Sequence, residues 1–233
     1  MTDFADREIV VTGGTGALGT AVVGALLAGG ATVLVAWRTP AEAERFPHRG
    51  HDRVRMAETQ LGNEQAVARL YEGVGALWAS IHIAGGFAMA PIADTDRAAF
   101  MIQLETNLLS CVLASRAAVA AMRKTGQGGR IVNVTARAGI DPRLGAGMTA
   151  YATTKAAVAA FTQALAAEVI GDDILVNAVA PGTLDTPANR AAMPKADPSR
   201  WAKPDDVAVA ILFLASPANR VTSGGIVPVY GRS

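Results

Sequence analysis

Glu8-Ile9-Val10-Val11-Thr12 runs directly into Gly13-Gly14-Thr15-Gly16-Ala17-Leu18-Gly19, and the apolar run Ala17 to Ala36 follows. A short apolar run that stops at glycines reads as a buried parallel strand. Ala17 to Ala28 reads as a helix closed by Gly29-Gly30, since Gly is favoured just past a helix end. Thr32-Val33-Leu34-Val35-Ala36 reads as a second strand. The run from Ala17 to Ala36 is long enough to raise a transmembrane span. Its glycine pair and the β-branched residues after it divide it into helix, turn and strand. Strand, Gly-rich turn, helix and strand make a βαβ unit. Glycines in that turn let backbone approach a pyrophosphate, and the helix start offers N–H groups and a positive dipole end. Gly14-x-Gly16-x-x-Gly19 is a weak pattern alone, and its place between strand and helix makes it informative.

The same alternation continues outward. Val54 to Ala57, Leu77 to Ile83, Arg130 to Val134, Ile174 to Val179 and Gly225 to Val229 read as further strands. Asn63 to Gly73, Asp96 to Lys124, Ala150 to Ile170 and Pro204 to Ala215 read as helices. Arg38 to Arg53 is a charged connection, and Pro181 to Pro204 is too long for a simple one, which hints at function. The expectation is an α/β chain: a single-domain doubly wound Rossmann fold over residues 1–233, with a parallel sheet of about seven strands. A substrate lid is expected over about residues 183–203.

Composition narrows the function classes. Half the residues are hydrophobic and the formal net charge is +1. That gives no electrostatic case for nucleic acid or an anionic membrane. Cys111 is alone in an apolar stretch, so it reads as a small buried hydrophobe in a reducing compartment. The start Met1-Thr2-Asp3-Phe4-Ala5-Asp6-Arg7-Glu8 is polar and is not read as a signal peptide, so a cytoplasmic setting is expected. His48 and His51 lack companion ligands at metal spacing and read as a solvated loop, so no metal is expected. His82 reads as a core or sheet-end histidine.

One turn of the fourth long helix carries the chemistry. Tyr151 and Lys155 lie four residues apart and share a helix face. An ammonium beside a phenol lowers the phenol's pKa from its usual ~10, toward the range where it exchanges protons at neutral pH. That suits protonating a carbonyl or deprotonating an alcohol.

Thr12-Gly13-x-x-Gly16-x-x-Gly19, His82-Ile83-Ala84-Gly85, Asn107, Tyr151-x-x-x-Lys155 and Pro181-Gly182 occur in the order found in the short-chain dehydrogenase/reductases, which the chain resembles over essentially its whole length. A narrower resemblance, to dihydropteridine reductase-like members, rests on three stretches. They are Gly14 to Gly19, Ala84-Gly85-Gly86-Phe87, and the lid with Thr183-Leu184-Asp185-Thr186-Pro187, Asn189-Arg190, Met193-Pro194, Ala196-Asp197 and Trp201.

The resemblance implies Tyr151 as acid/base, Lys155 as its tuner and ribose ligand, and Asn107 as support for a proton-relaying water. It implies a dinucleotide along Gly13, Thr15, Gly16, Ala17 and Leu18, then Arg38, Thr39, Gln60 and Leu61, then Ala84, Gly85 and Gly86. Pro181, Gly182, Thr183 and Leu184 would close over the nicotinamide. Phe87, Ala136, Met193 and Trp201 would face a small-molecule substrate, a carbonyl compound or quinonoid dihydropterin. Hydride would pass between nicotinamide and substrate, with a small ketone or 3-oxoacyl-type substrate, or a non-catalytic redox sensor, as alternatives. A homodimer or homotetramer is implied as well.

Three features depart from the family pattern. Ala17 stands in the loop where many members have Gly, so the loop follows the variant spacing. Ala136 stands where members usually place a serine that hydrogen-bonds the substrate oxygen. Ala36-Trp37-Arg38-Thr39 ends the second strand without the acid that binds a ribose 2′-hydroxyl. Arg38 is placed to meet a 2′-phosphate, so NADP(H) is favoured over NAD(H).

Overall fold

The protein is described by a computed structural model covering residues 3–232. Met1 and Thr2, part of the polar start read above, lie outside the described residues. All seven apolar runs are strands of one parallel sheet. In chain order they are β1 (Glu8–Thr12), β2 (Thr32–Trp37), β3 (Val54–Glu58), β4 (Leu77–His82), β5 (Gly129–Val134), β6 (Ile174–Pro181) and β7 (Ile226–Val229). The spatial order is β3-β2-β1-β4-β5-β6-β7. The chain therefore reverses its direction of travel between β1 and β4, and the carboxyl ends of these two strands flank the crevice where doubly wound sheets bind ligands.

Nine helices cross over the sheet among the described residues: α1 (Ala17–Ala28), α2 (Pro40–Arg45), α3 (Glu64–Glu72), α4 (Arg97–Gln103), α5 (Ser110–Thr125), α6 (Arg137–Ile140), α7 (Thr149–Val169), α8 (Pro187–Ala192) and α9 (Pro204–Ala215). One apolar layer joins α1 and α9 to the sheet through Val22, Leu26, Val207 and Ile211. The opposite layer joins α3, α5 and α7 through Leu70, Ala114, Met122 and Val169. This is a single-domain Rossmann-like α/β fold.

Three local features differ from the sequence reading. The charged connection after β2 contains α2, which has Pro40 at its first position and Thr39 as its cap. The expected helix Asp96 to Lys124 is α4 and α5 joined by one π turn, Leu104–Leu109. That continuous run, Arg97–Thr125, is long and apolar enough to cross a bilayer, yet α5 buries one face against β4 and α3. The long connection after β6 contains α8 and a 3-10 turn at Pro198–Arg200.

A polar cluster crosses the buried side of the sheet beneath α5 and α7. His82 Nδ1 lies 2.8 Å from Asn133 Oδ1, and its Nε2 lies 2.8 Å from Ser80 Oγ. The Tyr71 hydroxyl lies 2.7 Å from Ser80 Oγ. Asn133 Nδ2 donates to Thr162 Oγ1 at 2.9 Å, and Thr162 donates onward to the Val158 carbonyl. This orients the Asn133 amide, so its oxygen accepts and Nδ1 of His82 carries the proton. Burial pushes the His82 pKa down from 6.5 to about 4, and the Asn133 hydrogen bond opposes that only partly.

Between about pH 6.5 and pH 4 the unfolded chain binds a proton at His82 that the folded chain does not, so stability rises with pH through this window. Acidification across it is expected to cost on the order of 3 kcal/mol at this site. Urea denaturation of wild type and His82→Gln at pH 7 and pH 4.5 checks this. The loss at pH 4.5 should be smaller in the variant, and equal losses would refute the assignment.

Candidate active site

The nucleotide-type loop lies at the carboxyl end of β1, against the end of β4. Gly13 has φ +69°, and a Cβ there would stand 2.5 Å from the Ala84 backbone nitrogen. Only glycine serves both the left-handed backbone and this contact. Ile83 and Ala84 both donate backbone N–H to the Thr12 carbonyl, which holds the two strand ends together. Gly16 caps α1 with no side-chain hydrogen bond. No side chain therefore caps the N–H groups of the first turn of α1. Bare backbone on both sides of the crevice fits the pyrophosphate of a dinucleotide.

Tyr151 and Lys155 lie in the first two turns of α7, and packing sends their polar atoms to different partners. Lys155 is buried and donates from Nζ to the Val134 carbonyl at 2.9 Å. Its Nζ lies 6.0 Å from the centre of the Tyr151 ring. Burial lowers the Lys155 pKa from 10.5 to about 8. Burial also raises the Tyr151 pKa from 10.0 to about 12. The expected lowering of the phenol by the ammonium is therefore not what this structure holds. Loss of water outweighs a charge that is itself weakened by burial. Tyr151 is a protonated phenol at neutral pH, poised to donate.

Asn107 lies in the π turn between α4 and α5. Its Oδ1 accepts from Gly86 N at 2.9 Å, and its Nδ2 reaches Gln103 Oε1 at 3.2 Å and Thr154 Oγ1 at 3.3 Å. A Cβ on Gly85 would meet Asn107 Oδ1 at 2.8 Å and Lys155 Nζ at 3.3 Å. The structure thus gathers Asn107, Lys155 and the segment Ala84-Gly85-Gly86 at one point. Gln103 and Thr154 were missed by sequence reasoning. A polar residue next to Lys155, or one turn before Asn107, carries no signal until the π turn brings them together. π turns occur often at functional sites.

On the substrate side, Phe87 packs edge-on against Tyr151, ring centres 4.9 Å apart, and is 60% exposed. Met89 is exposed beside it, and Met193 is partly exposed on the lid. Ala136 is buried at the start of α6. Thr135 offers no substitute hydroxyl, because it donates to the Lys155 carbonyl at 2.5 Å.

Trp201, expected to face a substrate, is buried at the base of the connection after β6. Asp185 N and Ala202 N donate to the carbonyls of Ala202 and Thr183, pinning both ends of the segment between them. Between them Arg190 holds Asp185 through Nε at 2.5 Å and Nη2 at 2.8 Å. Pro181 ends β6, and Gly182, Thr183 and Leu184 continue from it toward the lid.

On the adenine side, Arg38 is exposed at the end of β2, but it is paired. Its Nη2 lies 3.3 Å from Glu42 Oε1, and its backbone N donates to Glu42 Oε2 at 3.1 Å. Thr39 is engaged as the cap of α2, accepting from Glu42 N. Gln60 and Leu61 follow β3, where Thr59 N donates to the Trp37 carbonyl at 2.8 Å. Glu42 was also missed, since five residues past a strand end is no signal for a carboxylate at that end.

Comparison with known proteins follows the same geometry. Residues 7–197 match the family described as short chain dehydrogenase. The chain is 34% identical to cis-4-hydroxycyclohexanecarboxylate dehydrogenase of Sinomonas cyclohexanicum, over 98% of this chain and 96% of that one. It is 36% identical to galactitol 2-dehydrogenase of Rhizobium johnstonii, over 96% and 93% respectively. A short-chain type dehydrogenase/reductase from Mycobacterium ulcerans superposes with a TM-score of 0.90 at 28% identity, covering 98% of this chain and 90% of that one. With agreement of this extent in sequence and in fold, the chain belongs to the short-chain dehydrogenase/reductase family and is an oxidoreductase of the NAD(P)-binding kind.

Proposed function

We propose that the protein interconverts a secondary alcohol and its ketone, with Tyr151 as the acid/base. The observation that carries this is Tyr151, protonated and ring-packed against exposed Phe87, one turn from a buried Lys155 that abuts Gly85 and Asn107. The nicotinamide of a dinucleotide held along the Gly13–Leu18 loop would supply or accept the hydride. Tyr151 then gives its hydroxyl proton to the developing alkoxide, or takes one from the alcohol in reverse. Lys155 has two ammonium protons beyond the one donated to Val134, and these suit ribose hydroxyls and a relayed water. Asn107, held by Gly86 and Thr154, orients that water. Arg38 would meet a 2′-phosphate, which favours NADP(H). Exposed Phe87, Met89 and Met193 give the substrate an apolar wall.

The relatives named above act by name on a hydroxycyclohexane acid and a sugar alcohol, which supports an alcohol–ketone pair. None of the three is named a pteridine reductase. A quinonoid dihydropterin remains a second reading on one observation, the absence of a hydroxyl at buried Ala136. A ring that delocalises charge needs fewer donors than a ketone oxygen does.

Turnover separates these readings from a redox sensor that only binds dinucleotide. Tyr151→Phe should lower kcat for every substrate by about 10²–10⁴-fold with little change in dinucleotide Kd. Full activity in that variant would remove Tyr151 from the chemistry. Ala136→Ser should raise kcat/KM for cyclic ketones by about 10-fold or more, and for a dihydropterin much less. Efficient ketone reduction by wild type with no gain from serine would remove the support for the pterin reading.

The segment from Thr183 to Lys203 is proposed as a lid that closes over the substrate. Its base is pinned by backbone pairs, and the Asp185–Arg190 pair braces its first helix. Asp185→Asn is expected to speed proteolysis within α8 and raise KM more than it lowers kcat. Unchanged cleavage and kinetics would argue that the pair does not set lid position.

Assembly into dimers or tetramers is part of the same proposal. Ile102 and Leu109 on the α4–α5 run, and Val209 and Phe213 on α9, are exposed apolar side chains in two patches. Sedimentation of wild type should give two or four copies, and Phe213→Glu should lower that number if α9 is a contact. A monomer at micromolar concentration would refute assembly.

A further inference from the structure

Glu42 occupies a position that the sequence of β2 leaves without an acid. β2 ends at Trp37, and Ala36 is paired in register with Thr12, at the start of the nucleotide-type loop. Neighbouring strand positions lie about 5 Å apart, so the backbone after Trp37 borders the crevice. Glu42 is the third residue of α2, and the Thr39 hydroxyl accepts from its N–H. The side chain then folds back rather than out. Oε2 accepts from the Arg38 backbone N–H at 3.1 Å, and Oε1 takes Arg38 Nη2 at 3.3 Å. The carboxylate is the more enclosed partner, 27% exposed against 65% for the guanidinium.

We propose that Glu42 is a specificity-determining residue for the dinucleotide. Its carboxylate stands at the end of β2, where it accepts a ribose 2′-hydroxyl, and it occupies and opposes the Arg38 site for a 2′-phosphate. This rests on the reading of Arg38 as the phosphate partner and qualifies it. A 2′-phosphate must draw Arg38 off Glu42 and then sit beside an uncompensated carboxylate. A 2′-hydroxyl leaves the pair intact and gains an acceptor. The chain thereby uses both dinucleotides, with a narrower preference than Arg38 alone would set. Repulsive elements of this kind determine specificity as strongly as attractive ones.

Glu42 also helps cap α2, so the test must separate capping from recognition. Glu42→Gln keeps an oxygen for the Arg38 N–H and removes the charge. Glu44→Gln removes the same charge elsewhere on α2. Dissociation constants for NADPH and NADH are read from quenching of tryptophan emission in wild type, both Gln variants and Arg38→Ala. Glu42→Gln is expected to tighten NADPH by about 5-fold and weaken NADH by about 3-fold, as an exposed charge pair allows. Glu44→Gln should move neither ratio. If Glu42→Gln changes only Tm, or shifts both dinucleotides alike, Glu42 is a cap alone and the proposal is overturned. If Arg38→Ala weakens NADPH selectively while Glu42→Gln has no effect, the Arg38 reading stands and the Glu42 assignment falls. If Arg38→Ala leaves the NADPH/NADH ratio at its wild-type value, both fail.

Discussion

A buried ammonium is the constraint on which the rest of the site depends. Placing Lys155 inside a sheet-and-helix interior is unfavourable unless its charge is met by polar atoms. The Val134 carbonyl supplies one partner at 2.9 Å, and the Gly85 backbone leaves room for the ammonium because it has no Cβ. Even so, burial lowers the Lys155 pKa to about 8. The ends of β4 and β5, the start of α7 and the π turn must therefore meet at one place. Asn107 locks them there by joining Gly86 to Thr154.

The same burial sets the state of Tyr151. Burial raises the Tyr151 pKa, so the phenol, packed edge-on against Phe87, is held neutral rather than partly ionised. The pair is then arranged for giving a proton. Taking one would require added positive charge near the ring.

The crevice has two unlike ends. After β2, charge is exposed and paired, with Arg38 and Glu42 in contact. Around Tyr151, Phe87, Met89 and Met193 are apolar and exposed, and Ala136 carries no hydroxyl. The connection after β6 is tied at its base by backbone hydrogen bonds at Asp185 and Ala202, and the Asp185–Arg190 ion pair starts from that base. Trp201 belongs to that anchored base, buried with Ala202.

The sequence by itself determined the elements that depend on local pattern. Apolar runs bounded by glycine became β1 and β2, four-residue spacing put Tyr151 and Lys155 on one helix, and alternation of strand and helix produced a parallel sheet. These follow from backbone geometry within a few residues, or from the need to bury apolar faces. Tertiary structure alone decided what depends on water and on distant neighbours. The π turn at Asn107, the return of Glu42 to the end of β2, the enclosure of Trp201 and the upward shift of the Tyr151 pKa have no local signature. Helical periodicity fixes which way a side chain points, whereas its charge state and its partners are set by what packs around it.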